Sequence, residues 1–70
     1  MGVIFLRVNG ETQTLEKPLS VADLLAQNEY RAEMVAVEVN EEIIPKSEYG
    51  KFMLSDTDTV EIVQFMGGGC

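Results

Sequence analysis

Apolar and polar side chains alternate along the N-terminal part of the chain. Residues 3–8 are rich in β-branched and aromatic side chains, and Asn9 and Gly10 follow them, a pair that favours a tight hairpin turn. The pattern therefore predicts one strand over residues 3–8 and a second over residues 11–15. Because successive side chains of a strand point to opposite faces, positions 4, 6 and 8 are expected in the core and Phe5 on the outside.

A helical pattern follows the hairpin. Pro18 ends the second strand, and Ser20 with Asp23 three residues later is typical of a helix N-terminus closed by a capping box. Apolar residues at positions 21, 24 and 25 form one stripe of a helix that can lie on a sheet, and the pattern ends at Asn28 and Glu29. The sequence predicts a short helix of about two to three turns.

The second half of the chain returns to alternation. We predict strands over residues 34–39 and 42–44, with a turn at positions 40 and 41 between them. Residues 47–52 are expected to be irregular or to form one helical turn, with their aromatic side chains covering one end of the core. Residues 56–58 form a polar turn, and a last strand over residues 59–65 precedes the glycines.

The order of these elements is strand, strand, helix and then three strands, without a βαβ repeat. This order indicates an α+β fold, a β-grasp roll in which a mixed sheet of four to five strands packs on one short helix. We expect one domain over residues 1–66 and a flexible glycine tail over residues 67–70.

Charge and cysteine content narrow the classes of partner. Twelve acidic and five scattered basic residues give a net charge of -7, which argues against nucleic acid and favours a basic protein surface, although the charge can also serve solubility alone. A single cysteine favours a reducing, cytoplasmic location. No signal peptide or membrane span is expected.

The outer face of the sheet carries apolar side chains. With the strands as predicted, Phe5, Val63 and Phe65 point away from the helix, and with Met66 they are expected to form a docking patch for a partner. Isolated surface hydrophobes, or a register shifted by one residue, would also account for them.

The side chains offer little chemistry of their own. The chain has no histidine and one cysteine, which excludes Ser-His and Cys-His nucleophiles and Cys/His zinc sites, so we expect no enzyme, metal or bound cofactor. Asp56 and Asp58 are interpreted as turn residues. The glycines at 67–69 are not expected to form a phosphate loop, which would need a helix directly after them.

Three segments together carry a family resemblance: VAVEVN at 35–40, IIPK at 43–46 and DTDTVEIVQFMGG at 56–68. In this order, with the turn at residues 9–10 and the helix start at residues 20–25, they resemble the ThiS family of sulfur carriers in thiamine biosynthesis. The resemblance covers nearly the whole chain, and its specificity lies in the combination of segments.

The resemblance implies a ubiquitin-like β-grasp domain that works through a terminal glycine carboxylate, here that of Gly69. An E1-like enzyme of the ThiF type would adenylate it with ATP, and sulfur from cysteine, delivered through a desulfurase, would convert it to a thiocarboxylate. A thiazole synthase of the ThiG type would then take the sulfur. The tail formed by Gly67, Gly68 and Gly69 would thread into each partner.

Cys70 departs from the pattern of the family, whose mature members end in glycine. With Cys70 in place, Gly69 has no free carboxylate. Three explanations are open: a processing peptidase removes Cys70, the cysteine is not native, or its thiol is functional, for example as a persulfide.

Two other functions also remain open on the sequence. One is the small subunit of molybdopterin synthase, which is also a β-grasp sulfur carrier. The other is a ubiquitin-like modifier or interaction module, whose glycine carboxylate would form an isopeptide bond with lysine.

Overall fold

The computed structural model describes residues 3–65. The strands are β1 (Ile4–Val8), β2 (Glu11–Leu15), β3 (Val35–Val39), β4 (Glu42–Ile44) and β5 (Thr59–Gln64), and the helix is α1 (Val21–Gln27). Two short 3₁₀ turns, Ala32–Met34 and Lys46–Glu48, precede β3 and follow β4. The five strands form one sheet in the order β2-β1-β5-β3-β4.

The sheet is mixed, as predicted. β1 pairs antiparallel with β2 and parallel with β5, and β3 pairs antiparallel with both β4 and β5. The first and last strands of the chain are therefore neighbours at the centre of the sheet. This arrangement, with one helix on one face, confirms the predicted β-grasp fold.

The two hairpin turns share one backbone geometry, which the sequence favours at the first turn. Asn9 and Gly10 have positive φ angles of 50° and 85°, as a two-residue turn between twisted strands requires. Asn40 and Glu41 repeat this geometry with φ angles of 52° and 71°. Glu41 is a non-glycine residue in the left-handed region, which costs about 1 kcal/mol or more.

The asparagine of each turn also attaches β5. The Asn9 side chain accepts from the amide of Ile62 at 2.7 Å and donates to the Ile62 carbonyl at 3.2 Å. The Asn9 side chain thus makes the two hydrogen bonds to β5 that backbone groups would make if β1 continued. Asn40 accepts from the amide of Thr59 through its side chain at 3.0 Å, so both turns hold the last strand in its register.

The helix starts after Ser20 with one of the two hydrogen bonds of the predicted capping box. Ser20 is the N-cap, and its Oγ accepts a hydrogen bond from the amide of Asp23 at 3.1 Å. The apolar stripe of Val21, Leu24 and Leu25 is buried against the sheet. The core lies between this stripe and the inner side chains of all five strands: Ile4, Leu6, Val8, Leu15, Val35, Val37, Val39, Ile44, Val60 and Ile62.

The predicted bounds differ from the observed ones by one residue at three places. β1 begins at Ile4, β3 begins at Val35 because Met34 ends a 3₁₀ turn, and β5 ends at Gln64. The predicted helical turn within residues 47–52 is the 3₁₀ turn Lys46–Glu48. Tyr49 is buried and Phe52 packs against the core, as predicted. None of the helices within residues 3–65 has the length and apolar character needed to cross a bilayer.

Candidate functional site

The face of the sheet opposite the helix is uncovered by the described part of the chain. Phe5 is 49% exposed, Val63 57% and Phe65 49%, and the burial pattern of β1 and β5 alternates so that Phe5 and Val63 lie on this outer face. Phe65 follows β5 and continues its pairing, since its amide donates to the carbonyl of Met34 at 2.8 Å. The predicted exposure of these three side chains is correct.

The structure does not bring the three together, and the predicted single patch needs a correction. In the parallel pair, Arg7 lies opposite Thr59, and the amide of Thr57 donates to the carbonyl of Phe5. Phe5 is therefore level with Thr57, six residues before Val63. At about 3.3 Å per residue this is a separation of about 20 Å along the sheet.

Apolar side chains other than Phe5 lie near Val63 and Phe65. Ala36 lies directly opposite Val63 on β3, and Ile43, which is 70% exposed, lies on β4 opposite Glu38. We call Ala36, Ile43, Val63 and Phe65 the exit patch, because the chain leaves the sheet beside it. It lies at the end of the outer face where β5 ends.

Carboxylates border the exit patch. Glu38 on β3 lies directly opposite Glu61 on β5, and with Glu41 they line a shallow depression of the outer face. Within residues 3–65 neither Glu38 nor Glu61 has a basic side chain at ion-pair distance. Like charges directly opposite each other destabilise a sheet. A basic partner surface would relieve this repulsion, so the pair favours binding to a basic partner.

Lys46 lies where the chain leaves the sheet. Its Nζ donates to the carbonyl of Val35 at 2.8 Å and lies 5.6 Å from the centroid of the Phe65 ring. It also lies 5.9 Å from the centroid of the Tyr49 ring. Tyr49 is 4% exposed, and this burial raises the pKa of its hydroxyl above the usual 10.0.

Asp56 and Asp58 are turn residues, as interpreted from the sequence. Asp56 Oδ1 accepts from the amide of Phe5 at 2.8 Å, and Asp58 accepts from the amide of Ser55 and from the side chain of Asn40. Their carboxylates therefore fix the loop that leads into β5. In residues 3–65 no cluster of three or more carboxylate or cysteine side chains has an arrangement that could hold a metal ion.

Five of the predicted site residues lie outside the described residues. These are Met66, assigned to the docking patch, Gly67, Gly68 and Gly69 of the tail, and Cys70. Their roles stay predictions.

Sequence reasoning missed three residues of this region. Ala36 and Ile43 follow from strand alternation once β3 and β4 are placed, but β4 carries two adjacent isoleucines, and alternation within so short a strand does not say which one points outward. Nothing in the sequence around Lys46 indicates its contact with Phe65, because the two residues are far apart in the chain.

Comparison with known proteins identifies the family. The model of the ThiS family matches residues 6–69, a range that begins within β1 and includes the other four strands and the glycines at 67–69. The chain belongs to the ThiS family. The sulfur carrier protein ThiS of Bacillus subtilis is 42% identical over 65 residues, which cover 91% of this chain and 98% of that protein.

A solved structure and a longer enzyme also match this chain. The crystal structure of a thiamine biosynthesis protein (ThiS) from Geobacter metallireducens superposes with a TM-score of 0.80 at 36% identity, covering 94% of this chain and all of that one. A thiazole synthase from Paramagnetospirillum magneticum is 42% identical over 64 residues, 91% of this chain. The chain spans only a fifth of the length of that enzyme.

Proposed function

We propose that this chain is the sulfur carrier of thiamine biosynthesis and that its working group is the carboxylate of Gly69, exposed when Cys70 is removed. The observation that carries the proposal is the ThiS family match, which extends from β1 through the glycines and ends at Gly69. The match to the B. subtilis sulfur carrier over nearly all of that protein supports the same function.

The chemistry requires an activating enzyme. A carboxylate is ionised at neutral pH and resists nucleophilic attack. An E1-like adenylyltransferase of the ThiF type would let a carboxylate oxygen of Gly69 attack the α-phosphorus of ATP, releasing pyrophosphate and leaving an acyl-adenylate. A desulfurase forms a persulfide from cysteine, and the outer sulfur of that persulfide then displaces AMP to give an acyl disulfide. A thiol cleaves the S–S bond of this acyl disulfide, is itself oxidised to a disulfide, and releases the thiocarboxylate. ATP is consumed by this partner and is no cofactor of the carrier.

The exit patch would bind the partner, and the tail would reach the partner's active site. A tail of glycines carries no side chains and can enter a narrow active site, but ordering each glycine costs about 1 to 2 kcal/mol of backbone entropy. Contacts of the folded domain must offset this cost. Val63 and Phe65, half-exposed beside Glu38 and Glu61, offer an apolar surface with an acidic border for this docking.

A thiazole synthase of the ThiG type would accept the sulfur. The P. magneticum thiazole synthase contains a segment that is 42% identical to this chain and accounts for a fifth of its length. A carrier-like segment within the polypeptide of a thiazole synthase supports a direct transfer between the two.

The test is a reconstitution followed by intact mass measurement. The chain ending at Gly69 is incubated with an E1-like adenylyltransferase of the ThiF type, ATP, cysteine, a desulfurase and a thiol reductant, and a chain ending at Gly68 and the full chain with Cys70 serve as matched controls. We expect replacement of one oxygen by sulfur only when Gly69 is terminal. An unchanged mass of the Gly69 form would refute the carrier chemistry, and an adduct on lysines of other proteins would assign the chain to the modifiers.

A further inference from the structure

We infer that Lys46 is a positioning residue that fixes the direction in which the chain leaves the domain after β5. The inference rests on the proposed function only for its consequence, the presentation of the tail. The contacts themselves belong to the folded domain and can be tested without any partner.

The first argument concerns a backbone carbonyl at the end of the sheet. Val37 pairs with Ile44, so Val35 would pair with Lys46 if β4 continued for two more residues. β4 instead ends at Ile44, and Pro45 leads the chain into a 3₁₀ turn. The side chain of Lys46 makes the bond that its backbone would have made, because its Nζ donates to the carbonyl of Val35 at 2.8 Å.

The second argument concerns the two aromatic rings at the same ammonium group. An ammonium within about 6 Å of a ring centroid is attracted by the electrons of the ring face. Lys46 Nζ meets this condition for Tyr49, which belongs to the core, and for Phe65, the first residue after β5. One cation thus connects the edge of β3, the core and the residue that follows β5.

The third argument is the position of Phe65. Its backbone is held by the hydrogen bond from its amide to the carbonyl of Met34, and its ring is held by Lys46. The position and orientation of Phe65 are therefore set by contacts of the folded domain. Without the cation the Phe65 ring loses this contact, and we expect Phe65 to sample more orientations.

The direct test measures the motion of Phe65 in the full chain. Backbone and ring relaxation by NMR are compared for the wild type, Lys46→Met, Lys46→Arg and Lys51→Met. Lys46→Met keeps an apolar stem of similar length and loses the charge. Lys51 is an exposed lysine of the neighbouring loop, so its replacement changes the net charge equally and is the matched control. We expect Phe65 to become more mobile in Lys46→Met only, with Lys46→Arg close to the wild type, and equal rigidity in Lys46→Met would overturn the inference.

A second readout separates positioning from direct contact with the partner. For adenylation of chains ending at Gly69, we expect Lys46→Met to raise KM by about three- to tenfold with kcat nearly unchanged, and Lys46→Arg to restore most of it. In a Phe65→Leu background the same replacement should have no further effect. An undiminished effect in that background would mean that Lys46 contacts the partner itself and would overturn the positioning role. A wild type that is never adenylated refutes the proposed function and leaves the relaxation result to decide the role of Lys46.

Discussion

Phe65→Ala and Phe5→Ala form a matched pair that tests the exit patch as the docking surface. Both phenylalanines are 49% exposed on the uncovered side of the sheet. The register places them eight residues apart along the sheet, which is about 26 Å. Fully burying a phenylalanine contributes about 1.5 to 3 kcal/mol. A partner that covers the exposed half of Phe65 therefore gains about 1 kcal/mol, or roughly a fivefold change in affinity.

The assay is the steady-state rate of adenylation at varied carrier concentration, with chains that end at Gly69. We expect Phe65→Ala to lower kcat/KM by about fivefold or more, since the contact with Lys46 is lost as well. Phe5→Ala should leave it within about twofold of the wild type. Urea unfolding of both variants controls for altered stability. Equal losses for the two variants, or an unchanged rate for Phe65→Ala, would refute the assignment of docking to the exit patch.

Three further predictions concern single side chains of the described domain. Asn9→Ala removes both side-chain hydrogen bonds to Ile62 and should lower the free energy of unfolding by about 1 to 3 kcal/mol in urea titrations; an unchanged midpoint would contradict the role of Asn9 in holding β5. Burial raises the pKa of Tyr49 above 10.0 in the folded protein. The unfolded chain therefore loses this proton more easily, and the stability that the neutral hydroxyl contributes is complete below the unfolded pKa and is lost as pH rises through the higher pKa of the folded protein. Tyr49→Phe should lack this alkaline loss in thermal melts, and an identical pH profile would refute the assignment. Glu61→Gln removes the repulsion between Glu61 and Glu38 and should raise the free energy of unfolding by about 0.2 to 1 kcal/mol. The same change should slow association with the adenylyltransferase at low salt. Faster association would contradict a basic docking surface on the partner.

The local structure could be predicted because each element carries its own signal. The Asn9-Gly10 turn needs two positive φ angles, Ser20 caps a helix in the ordinary way, and alternation assigns the inner and outer faces of β1 and β5 correctly. Each of these signals acts over a few residues. Their agreement with one another is why the fold class followed from the sequence.

The docking surface could be predicted only in part, because its geometry depends on pairing between distant segments. β1 and β5 are parallel and 50 residues apart in the chain, so no hairpin turn fixes their register, whereas the turn between β1 and β2 does. Strand alternation therefore predicts correctly that Phe5 lies on the outer face, but it does not predict that Phe5 lies far from Val63. The contact between Lys46 and Phe65 has the same origin, since both residues reach it through long-range pairing at the end of the sheet.

The central claim is that Gly69 becomes the terminal residue and carries sulfur. It is tested most directly by the mass of the C-terminal peptide of this protein isolated from its own cells during thiamine synthesis, without added reductant. The account predicts chains that end at Gly69, a fraction of which carry sulfur in place of one carboxylate oxygen. Chains that all retain Cys70, with no sulfur at Gly69, would contradict it.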